Sequence, residues 1–413
     1  ALRMCVVGVV GFISDTASFP HESEHRVDHR PGRVTADAPT GKARARLDRE
    51  AVPAAAVVAT EGGLRFSVIM PTVSWTGFVE PCLGAAIEAA DRDGDTEILV
   101  VFDGVAPPPP EWLMKAGVKV LATGQRRGPA NARNLGAAEA TGDVLLFLDA
   151  DVELAPDALN RIRRVFTESP DIVALFGTYD DAPACDGVVS QFRNLLHHHT
   201  HVSHAGRAAS FWSGCGAMRS AVFMDLGGFD DTYRHPSVED IELGLRVQAA
   251  GGRIVLDPQV RCKHHKSWTL RSMVMTDIFS RAVPWTLLIL ETHELPATLN
   301  LDWGNRLCGA AALITACLLP VAIVTGTWSA LLGAPIVLAA MIAMHADFYR
   351  LCYRRRGLSF AVAAFALHWL FYLYSTLTFA AVVMAATLRS WWESMTRQGS
   401  VSGSGTSATS DHS

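Results

Sequence analysis

The sequence lacks an ordered framework of cysteines. Its 8 cysteines are scattered over 413 residues and none belongs to a C-x-x-C pair, which excludes a zinc site of the usual spacing and a disulfide scaffold. Scattered cysteines are typical of a reducing compartment. There is also little excess of either charge, because the net charge is only −5 at pH 7. This weak charge argues against nucleic acid as the main partner.

A dinucleotide fingerprint is also missing. No G-x-G-x-x-G comes after the first predicted strand, Phe66–Met70, where a dinucleotide-binding domain would carry it, so a dinucleotide-dependent oxidoreductase is disfavoured. Short apolar runs instead alternate with segments of helical spacing. The further predicted strands are Glu97–Phe102, Val118–Ala122, Ile172–Phe176, Arg253–Leu256 and Val260–Lys263. This alternation predicts an α/β fold with a doubly wound, mostly parallel sheet.

Charged residues are absent from two long stretches near the C-terminus. Leu307–Ala346 carries none, a proline and a Gly-Thr-Trp turn divide it into two segments of about 18 residues, and Phe360–Leu388 is a further uncharged run. We predict about three transmembrane helices within 306–390. Arg306 and Arg354–Arg356 would flank a two-span hairpin on one side, and the positive-inside rule makes that side cytoplasmic. The expected location is the cell (inner) membrane, with a cytoplasmic catalytic domain.

The remaining segments complete the predicted organisation. Residues 1–63 and 391–413 mix polar and small residues without periodicity, which predicts a disordered N-terminal extension and a disordered tail. Between them, 64–267 is the predicted catalytic domain. Residues 268–305 have helical spacing with charges among large apolar side chains, which predicts an amphipathic segment lying in the membrane interface.

Two aspartates end the most apolar run of the catalytic domain. Val144–Leu148 has the composition of a buried strand and leads directly into Asp149 and Asp151. Residues i and i+2 of an extended chain point the same way, so both carboxylates are expected at the carboxyl edge of the sheet, where α/β proteins bind ligands. Like charges this close repel unless a cation lies between them, and oxygen ligands suit Mg²⁺ or Mn²⁺. The alternative is a pair of solvated acids at a strand end.

Histidines are concentrated in one short segment of the chain. They are His197, His198, His199, His201 and His204. Their spacing matches no common metal site, so a polar loop or helix face near the substrate is preferred to a metal centre.

The order and spacing of several motifs resemble an inverting family 2 glycosyltransferase with a GT-A fold. The resemblance covers about 65–290. The motifs are FSVIMPT at Phe66–Thr72, VVFDG at Val100–Gly104, RRGPANARNLG at Arg126–Gly136, FLDADVEL at Phe147–Leu154, SGCGAMRS at Ser213–Ser220, GGFDD at Gly227–Asp231 and VEDIELGLR at Val238–Arg246.

The resemblance implies roles for individual residues. Asp149 and Asp151 match the DxD motif and would hold Mn²⁺ or Mg²⁺ on the diphosphate of a UDP- or GDP-linked sugar. His264 would be a further ligand, with His265 as its rival, and a purely structural role is an equal alternative for either histidine. Asp240, beside Glu239, matches the general base. The residues implied to bind the donor are Pro71, Thr72, Asp103, Arg133, Asn134, Asp149 and, in a glycine-containing loop, Gly214 and Gly216. For the glycines, an ordinary turn is an equal alternative, and for Arg133 an exposed helix charge.

The sequence departs from the processive synthases of this family. Their QxxRW motif after the ED helix is reduced here to Arg281 and Trp285 within RAVPW. The expected function is therefore transfer of a single sugar to a lipid or lipid-linked acceptor at the membrane. A processive polysaccharide synthase is the first alternative. The second is a non-catalytic membrane scaffold that binds nucleotide sugars, which the intact pairs Asp149/Asp151 and Glu239/Asp240 disfavour.

Overall fold

The computed structural model describes residues 63–293 and 302–402. The predicted N-terminal extension lies outside the described residues. The strands are β1 Phe66–Thr72, β2 Thr96–Phe102, β3 Lys119–Ala122, β4 Val144–Leu148, β5 Val152–Leu154, β6 Ile172–Tyr179, β7 Gly206–Arg207, β8 Cys215–Arg219 and β9 Arg253–His264. The helices among them are α1 Val79–Asp93, α2 Glu111–Lys115, α3 Pro129–Glu139, α4 Ala158–Glu168, α5 Val188–Ser203, α6 Ser220–Asp225 and α7 Glu239–Ala249.

The strands form one mixed sheet with the order β3-β2-β1-β4-β8-β6-β9-β5, and β7 pairs with β9. The pairs β3–β2, β2–β1, β1–β4 and β6–β9 are parallel, whereas β8, β5 and β7 run antiparallel to their neighbours. The predicted α/β class is confirmed. The prediction that 213–217 is entirely a loop is wrong, because residues from Cys215 onward enter the centre of the sheet as β8.

Helices cover both faces of the sheet because its central strands are apolar on both sides. Every residue of β4 is buried. Side chains of alternate residues enter different cores: Val144, Leu146 and Leu148 pack with α1 and α4, and Leu145 and Phe147 pack with α3 and α7. A strand buried on both faces has no polar positions until it ends, which places the first carboxylate, Asp149, at the sheet edge.

One predicted strand boundary differs from the structure. The two short strands predicted at 253–256 and 260–263 are one continuous strand, β9, which passes through Asp257 and Pro258. The proline is compatible with a strand here because register shifts interrupt the pairing of β9 with β6. The continuous strand carries its last residue, His264, to a position opposite Val152 of β5.

A second set of helices comes after the sheet in the chain. It comprises α8 Leu270–Met275, a π-helix Thr276–Ala282, α9 Val283–Thr292, α10 Trp303–Thr325, a 3₁₀ helix Trp328–Gly333, α11 Ala334–Met344 and α12 Ala346–Ser402. Three helical stretches are long and apolar enough to cross a membrane: Leu270–Thr292, Trp303–Thr325 and Ala346–Thr396. The segment predicted to lie in the interface is thus also long enough to span.

The second predicted span is shorter than expected, because 328–344 splits into the 3₁₀ turn and the 11-residue α11. In α12, Gly357 has φ 81°, which marks a kink between two helical parts. The helix continues to Ser402, so 391–402 is helical rather than part of the disordered tail predicted from 391. The rest of that tail lies outside the described residues.

Buried polar contacts connect the part of the chain that contains the sheet to these helices. Asp277 of the π-helix is ion-paired with Arg193 of α5, at 2.7 Å between Nη1 and Oδ1. The same carboxylate accepts a hydrogen bond of 2.5 Å from Tyr374 Oη in α12. Phe192 of α5 also packs against Phe348 of α12. The part of the chain that contains the sheet is therefore packed against the apolar helices.

Candidate active site

The two strand-end aspartates lie in a tight turn. Strand β4 ends at Leu148, and Val152 N–H donates to Asp149 O at 3.0 Å, which closes a turn over Asp149–Val152. The prediction of an extended chain between the two acids is therefore wrong. Asp149 N–H donates to Gly214 O at 3.1 Å, so this turn is fixed against the segment that enters β8.

Asp149 is paired with the guanidinium of Arg133. Arg133 Nη2 lies 2.7 Å from Asp149 Oδ1. Burial raises the pKa of Asp149; the positive charge of Arg133 opposes that increase and the negative charge of Asp151 adds to it, leaving the pKa raised. The turn therefore concentrates negative charge that a cation would stabilise.

Arg133 also reaches the acidic pair at the start of α7. Its Nη1 lies 3.1 Å from Glu239 Oε1, and its guanidinium packs over the ring of Phe229 at 5.5 Å. Arg133 and Glu239 are each only 4% exposed. The alternative that Arg133 is an exposed helix charge is therefore wrong. Arg133 therefore links the turn at Asp149–Val152 to the acidic first turn of α7, and its partner in α7, Glu239, is itself buried.

Asp151 faces His264. The distance between His264 Nε2 and Asp151 Oδ2 is 3.7 Å. Burial raises the pKa of Asp151, but the nearby imidazole of His264, together with the charge of Lys266, outweighs burial and lowers it. The neighbouring His265 instead pairs its Nε2 with Glu153 Oε2 at 2.6 Å. Of the two candidate histidines, His264 is the one whose ring faces the DxD turn.

The donor set at Asp151 fits a divalent cation that has few protein ligands. Within residues 63–293 and 302–402, no group of three or more His, Cys, Asp or Glu side chains is arranged to hold a metal. Two ligands are nevertheless a suitable number, because Mg²⁺ and similar ions are often bound by one or two carboxylates plus substrate phosphates. The 3.7 Å between Asp151 and His264 is less than twice a metal–ligand bond of about 2.1 Å. An imidazole in the set favours Mn²⁺ over Mg²⁺.

Asp240 has the environment of a general base. Its Oδ2 accepts hydrogen bonds from Ser213 N–H at 3.1 Å and from Ser213 Oγ at 3.3 Å, and its Oδ1 accepts one from Ile241 N–H at 2.8 Å. Burial, with the charge of Glu239, raises the pKa of Asp240 to about 6, against the lowering effects of Ser213 and Arg133. A carboxylate with this pKa is ionised at neutral pH and is still basic enough to accept a proton.

Asp103 is fully engaged by the loop that enters α3. Its Oδ1 accepts from Arg127 N–H at 2.8 Å and its Oδ2 from Gly128 N–H at 3.0 Å. Its own N–H donates to Thr72 O at 2.8 Å, which ties it to β1 next to Pro71. The three predicted donor-binding residues Pro71, Thr72 and Asp103 are thus brought together, and the carboxylate of Asp103 shapes the loop as well.

Asn134 contacts protein at both ends of its amide. Its Nδ2 donates to Phe229 O at 2.9 Å and its Oδ1 accepts from Phe229 N–H at 2.9 Å. A Cβ at Gly228, which has φ +67°, would lie 2.6 Å from Asn134 Oδ1. The amide therefore fixes the Gly-Gly-Phe loop, and the predicted contact of Asn134 with the nucleotide stays a prediction.

Gly214 and Gly216 are required by packing within the protein. A Cβ at Gly214 would lie 2.5 Å from the indole of Trp212, and one at Gly216 would lie 2.2 Å from the carbonyl oxygen of Trp212 and 2.7 Å from the ring of Phe211. Both glycines thus let two aromatic residues approach the backbone. Their predicted role in the approach of a sugar stays a prediction.

The histidine segment forms helix α5, which packs on β6. His198 Nδ1 contacts Tyr179 O at 2.7 Å and His201 Nδ1 contacts Gly177 O at 3.0 Å. Burial, with the charge of His201, holds the pKa of His197 well below its usual value, and burial lowers the pKa of His201 to about 4. The rings of His197 and His201 are therefore neutral at physiological pH and serve in packing.

Sequence reasoning missed the aromatic residues beside the site. Tyr179 stacks on His264 with ring centroids 4.4 Å apart, and Trp212 meets Tyr179 edge-on at 5.1 Å. Tyr179 lies three residues beyond the strand predicted at Ile172–Phe176, and Trp212 precedes the SGCGA motif, so their positions near these segments were the available signal. Arg281, from the π-helix, is exposed at its surface, yet it is close enough to Asp240 and Tyr179 to interact with both electrostatically.

Comparison with known proteins identifies relatives of this chain. The family described as Glycosyl transferase family 2 matches residues 67–227. The pre-mycofactocin glycosyltransferase of Mycobacterium tuberculosis is 28% identical over 246 residues, which cover 54% of this chain and 50% of that protein. The O-antigen biosynthesis protein RfbC of Myxococcus xanthus is 32% identical over 160 residues, covering 34% and 12% of the two chains. The chain thus spans half or less of these relatives.

Among solved structures, a mannosyltransferase of Pyrobaculum calidifontis in complex with GDP-Man and Mn²⁺ is 18% identical. It aligns with a TM-score of 0.46, over 85% of this chain and 93% of that one. GalNAc-T7 with UDP, GalNAc and Mn²⁺ is 20% identical, with a TM-score of 0.40, over 53% and 48% of the two chains.

Proposed function

We propose, from the match of residues 67–227 to glycosyl transferase family 2, that the chain is a membrane-bound, metal-dependent enzyme of this family. It takes a sugar from a UDP- or GDP-linked donor and passes it, with inversion, to a lipid or lipid-linked acceptor. Members of this family use nucleotide-sugar donors. The metal requirement, the acceptor and the stereochemical course are the content of the proposal.

The observation that carries the proposal is the bridge formed by Arg133. One guanidinium contacts Asp149 at 2.7 Å and Glu239 at 3.1 Å, and Asp240 directly follows Glu239. The acids expected at the donor diphosphate and the acid expected at the acceptor are therefore held in one rigid arrangement, although about 90 residues separate them in sequence. A scaffold that only bound nucleotide sugars would not need the second of these groups.

Asp240 would act on the acceptor. A hydroxyl is a poor nucleophile until its proton leaves, and a carboxylate with a pKa of about 6 can take that proton at neutral pH. In the transfer step the acceptor oxygen forms a bond to the anomeric carbon while the bond from that carbon to the diphosphate breaks. The acceptor proton moves to Asp240 Oδ. If the acceptor is a phosphate, it is already ionised, and Asp240 then orients it.

Asp151 and His264, with Asp149, would hold Mn²⁺ or Mg²⁺. When bound, that ion would stabilise the negative charge that develops on the departing nucleotide diphosphate. Pro71, Thr72 and Asp103 would line the nucleotide, since they meet at the carboxyl ends of the parallel strands β1 and β2. Arg133 and Asn134 would support the donor site indirectly. Arg133 pairs with Asp149, and Asn134 is hydrogen-bonded to the loop at Phe229.

The helices after the sheet would bring the site to a membrane surface. Three of them are long and apolar enough to span, and the basic residues Arg306 and Arg354–Arg356 would mark the cytoplasmic side. The catalytic domain would then face the cytoplasm at the cell (inner) membrane. Arg281 and Lys266 are both exposed and would give the approach to Asp240 and Asp151 a positive charge.

Nucleotide release by the purified full chain in lipid vesicles tests the proposal. A panel of UDP- and GDP-sugars is incubated with Mn²⁺ or Mg²⁺ and, in parallel, with EDTA. The acceptors are polyprenyl phosphates, a lipid extract and pre-mycofactocin, which the name of the M. tuberculosis relative indicates. We expect metal-dependent release from one donor that increases with a lipid acceptor.

Other outcomes have defined meanings. Donor binding without turnover under every condition would favour the scaffold. A product carrying many sugars per acceptor would favour the processive alternative, and full activity in EDTA would refute the metal role.

A further inference from the structure

Three rings form a stack beside the Asp151–His264 pair. The ring of Tyr179 lies 4.4 Å from that of His264 with an angle of 13° between the planes, and 4.1 Å from that of His197 with an angle of 32°. Two rings this close and this parallel to a third occupy its opposite faces. The edge-on contact with Trp212, at 5.1 Å and 89°, closes one side, so the phenol ring is confined on three sides.

The position of this stack is set by the sheet. Tyr179 of β6 pairs with Cys262 of β9, and His264 lies two residues further along β9. Residues i and i+2 of a strand share a face, so Tyr179 and His264 are diagonal neighbours on one face of the sheet. The backbone of Tyr179 is further fixed by the 2.7 Å contact of its carbonyl oxygen with His198 Nδ1.

No hydrogen bond fixes the orientation of the His264 ring in the described part of the chain. A histidine that binds a metal usually donates its second ring N–H to a carboxylate or carbonyl group, and this fixes the plane of the ring. No such hydrogen bond from the ring of His264 is formed by residues 63–293 and 302–402; its polar contact is the 3.7 Å approach to Asp151. Among the described residues, the aromatic ring that stacks on His264 is that of Tyr179.

We propose that Tyr179 is a positioning residue of the metal site: its ring, clamped between His197 and His264, sets the plane of the His264 imidazole so that Nε2 faces Asp151. The inference rests on the proposed function, because it assumes that Asp151 and His264 hold the metal. The phenol ring acts through its faces, so the hydroxyl group is not required. Tyr179→Phe should therefore preserve the effect, and Tyr179→Leu should remove it while filling much of the space.

The test is Mn²⁺ binding to the purified full chain in detergent, with UDP or GDP present. Titration followed by electron paramagnetic resonance gives the affinity, and pulsed measurements detect nitrogen modulation from a coordinated imidazole. For the wild type and Tyr179→Phe we expect the same affinity within about 2-fold and clear nitrogen modulation. For Tyr179→Leu we expect affinity about 10-fold or more weaker, as is typical when a supporting contact of a ligand is lost, and modulation reduced by half or more.

Two histidine variants calibrate the signal. His264→Leu should abolish the nitrogen modulation, whereas His265→Leu, whose ring contacts Glu153 rather than Asp151, should retain it. Circular dichroism and size-exclusion chromatography establish that each variant is folded. If Tyr179→Leu does not fold, His197→Leu removes the outer ring of the stack and should weaken Mn²⁺ binding several-fold.

The outcomes separate this inference from the proposed function. Strong nitrogen modulation and unchanged affinity in Tyr179→Leu, with a positive wild type, would refute the positioning role and leave the metal role of His264 intact. A wild-type chain that binds no Mn²⁺ with either nucleotide would refute the metal site itself and the inference with it. Binding without nitrogen modulation in the wild type would exclude His264 as a ligand and thereby overturn the inference.

Discussion

Replacing Asp240 by asparagine removes the group proposed to accept the proton of the acceptor. Asparagine has nearly the same shape, and its single amide oxygen can replace one of the two carboxylate oxygens, so that it accepts either from Ser213 or from Ile241 but not from both. The substitution therefore changes the chemistry of the site more than its structure. For a hydroxyl acceptor we expect kcat to fall by about 100-fold or more, the usual contribution of general base catalysis.

The pH dependence of the transfer rate gives a second, quantitative test of the role of Asp240. Burial and the charge of Glu239 place the pKa of Asp240 at about 6. The base works only when ionised, so the wild-type rate should rise with pH through about 6 and level off above about 7. At pH 5 it should be about tenfold below the plateau, because one pH unit below the pKa leaves about a tenth of the carboxylates ionised. The rate of Asp240→Asn should lack this step.

The same substitution has a predicted effect on stability. The folded-state pKa of about 6 lies above the unfolded value of 3.8, so the folded protein binds the proton more tightly. Ionised Asp240 therefore destabilises the fold, by an amount that grows as pH rises from about 4 to 6 and is constant above. Asp240→Asn should raise the free energy of unfolding at pH 8 by roughly 1–3 kcal/mol, from about 1.4 kcal/mol per pKa unit, and by nothing near pH 4.

The assay is initial-rate sugar transfer by reconstituted protein between pH 5 and 8.5, with thermal unfolding followed by intrinsic fluorescence at the same pH values. Glu242→Gln on the same helix is not a suitable control, because Glu242 pairs with the buried Arg246. Glu139→Gln is a better matched control variant, because Glu139 is an exposed residue of α3. An Asp240→Asn enzyme that keeps transfer within about fivefold of wild type, with an unchanged pH profile, would refute the general-base role and indicate an acceptor that arrives ionised.

The contacts of the site and the fold lead to three further predictions. Arg133→Met should abolish transfer and lower the free energy of unfolding by about 3–5 kcal/mol, because it leaves Asp149 and the buried Glu239 unpaired; a stable, active variant in chemical denaturation and transfer assays would contradict this. Gly216→Ala should destabilise by about 1–3 kcal/mol, since its Cβ would lie 2.2 Å from the carbonyl oxygen of Trp212. Its control, Gly84→Ala on α1, meets nothing within 4 Å and should be neutral or slightly stabilising in the same thermal assay. Tyr374→Phe should lower the melting temperature in detergent, because it removes the 2.5 Å hydrogen bond to buried Asp277, and an unchanged melting temperature would show that the ion pair with Arg193 suffices.

Local patterns were sufficient to predict the strands that carry the motifs. The apolar run at Val144–Leu148 predicted a central strand of the sheet correctly, because a strand that is buried on both faces is apolar at every position. The glycine-containing segment that forms β8 lacks such a composition, so the sequence did not predict it as a strand. Strand β8 is stabilised by its neighbours β4 and β6, which are distant in sequence.

The candidate site, like the fold, could be predicted only in part from the sequence. The sequence motifs predicted Asp149, Asp151 and Asp240 as site residues. They did not predict the ion-pair bridge through Arg133, because that bridge depends on the packing of α3 against α7 and the sheet. The choice between His264 and His265 also required the register of β9 with β5, since a shift of one residue exchanges the faces of a strand. Tyr179 was missed because its partner His264 lies 85 residues away in the chain.

The central claim, metal-dependent transfer of a sugar to a membrane acceptor, is tested most directly by following a radiolabelled sugar. The reconstituted full chain is incubated with the donor that supports nucleotide release, and label is measured in the lipid phase for wild type and Asp151→Ala, with Mn²⁺ and with EDTA. We predict label in the lipid phase only for the wild type with metal. Equal incorporation by Asp151→Ala, or release of the label only as free sugar for every acceptor, would contradict the account.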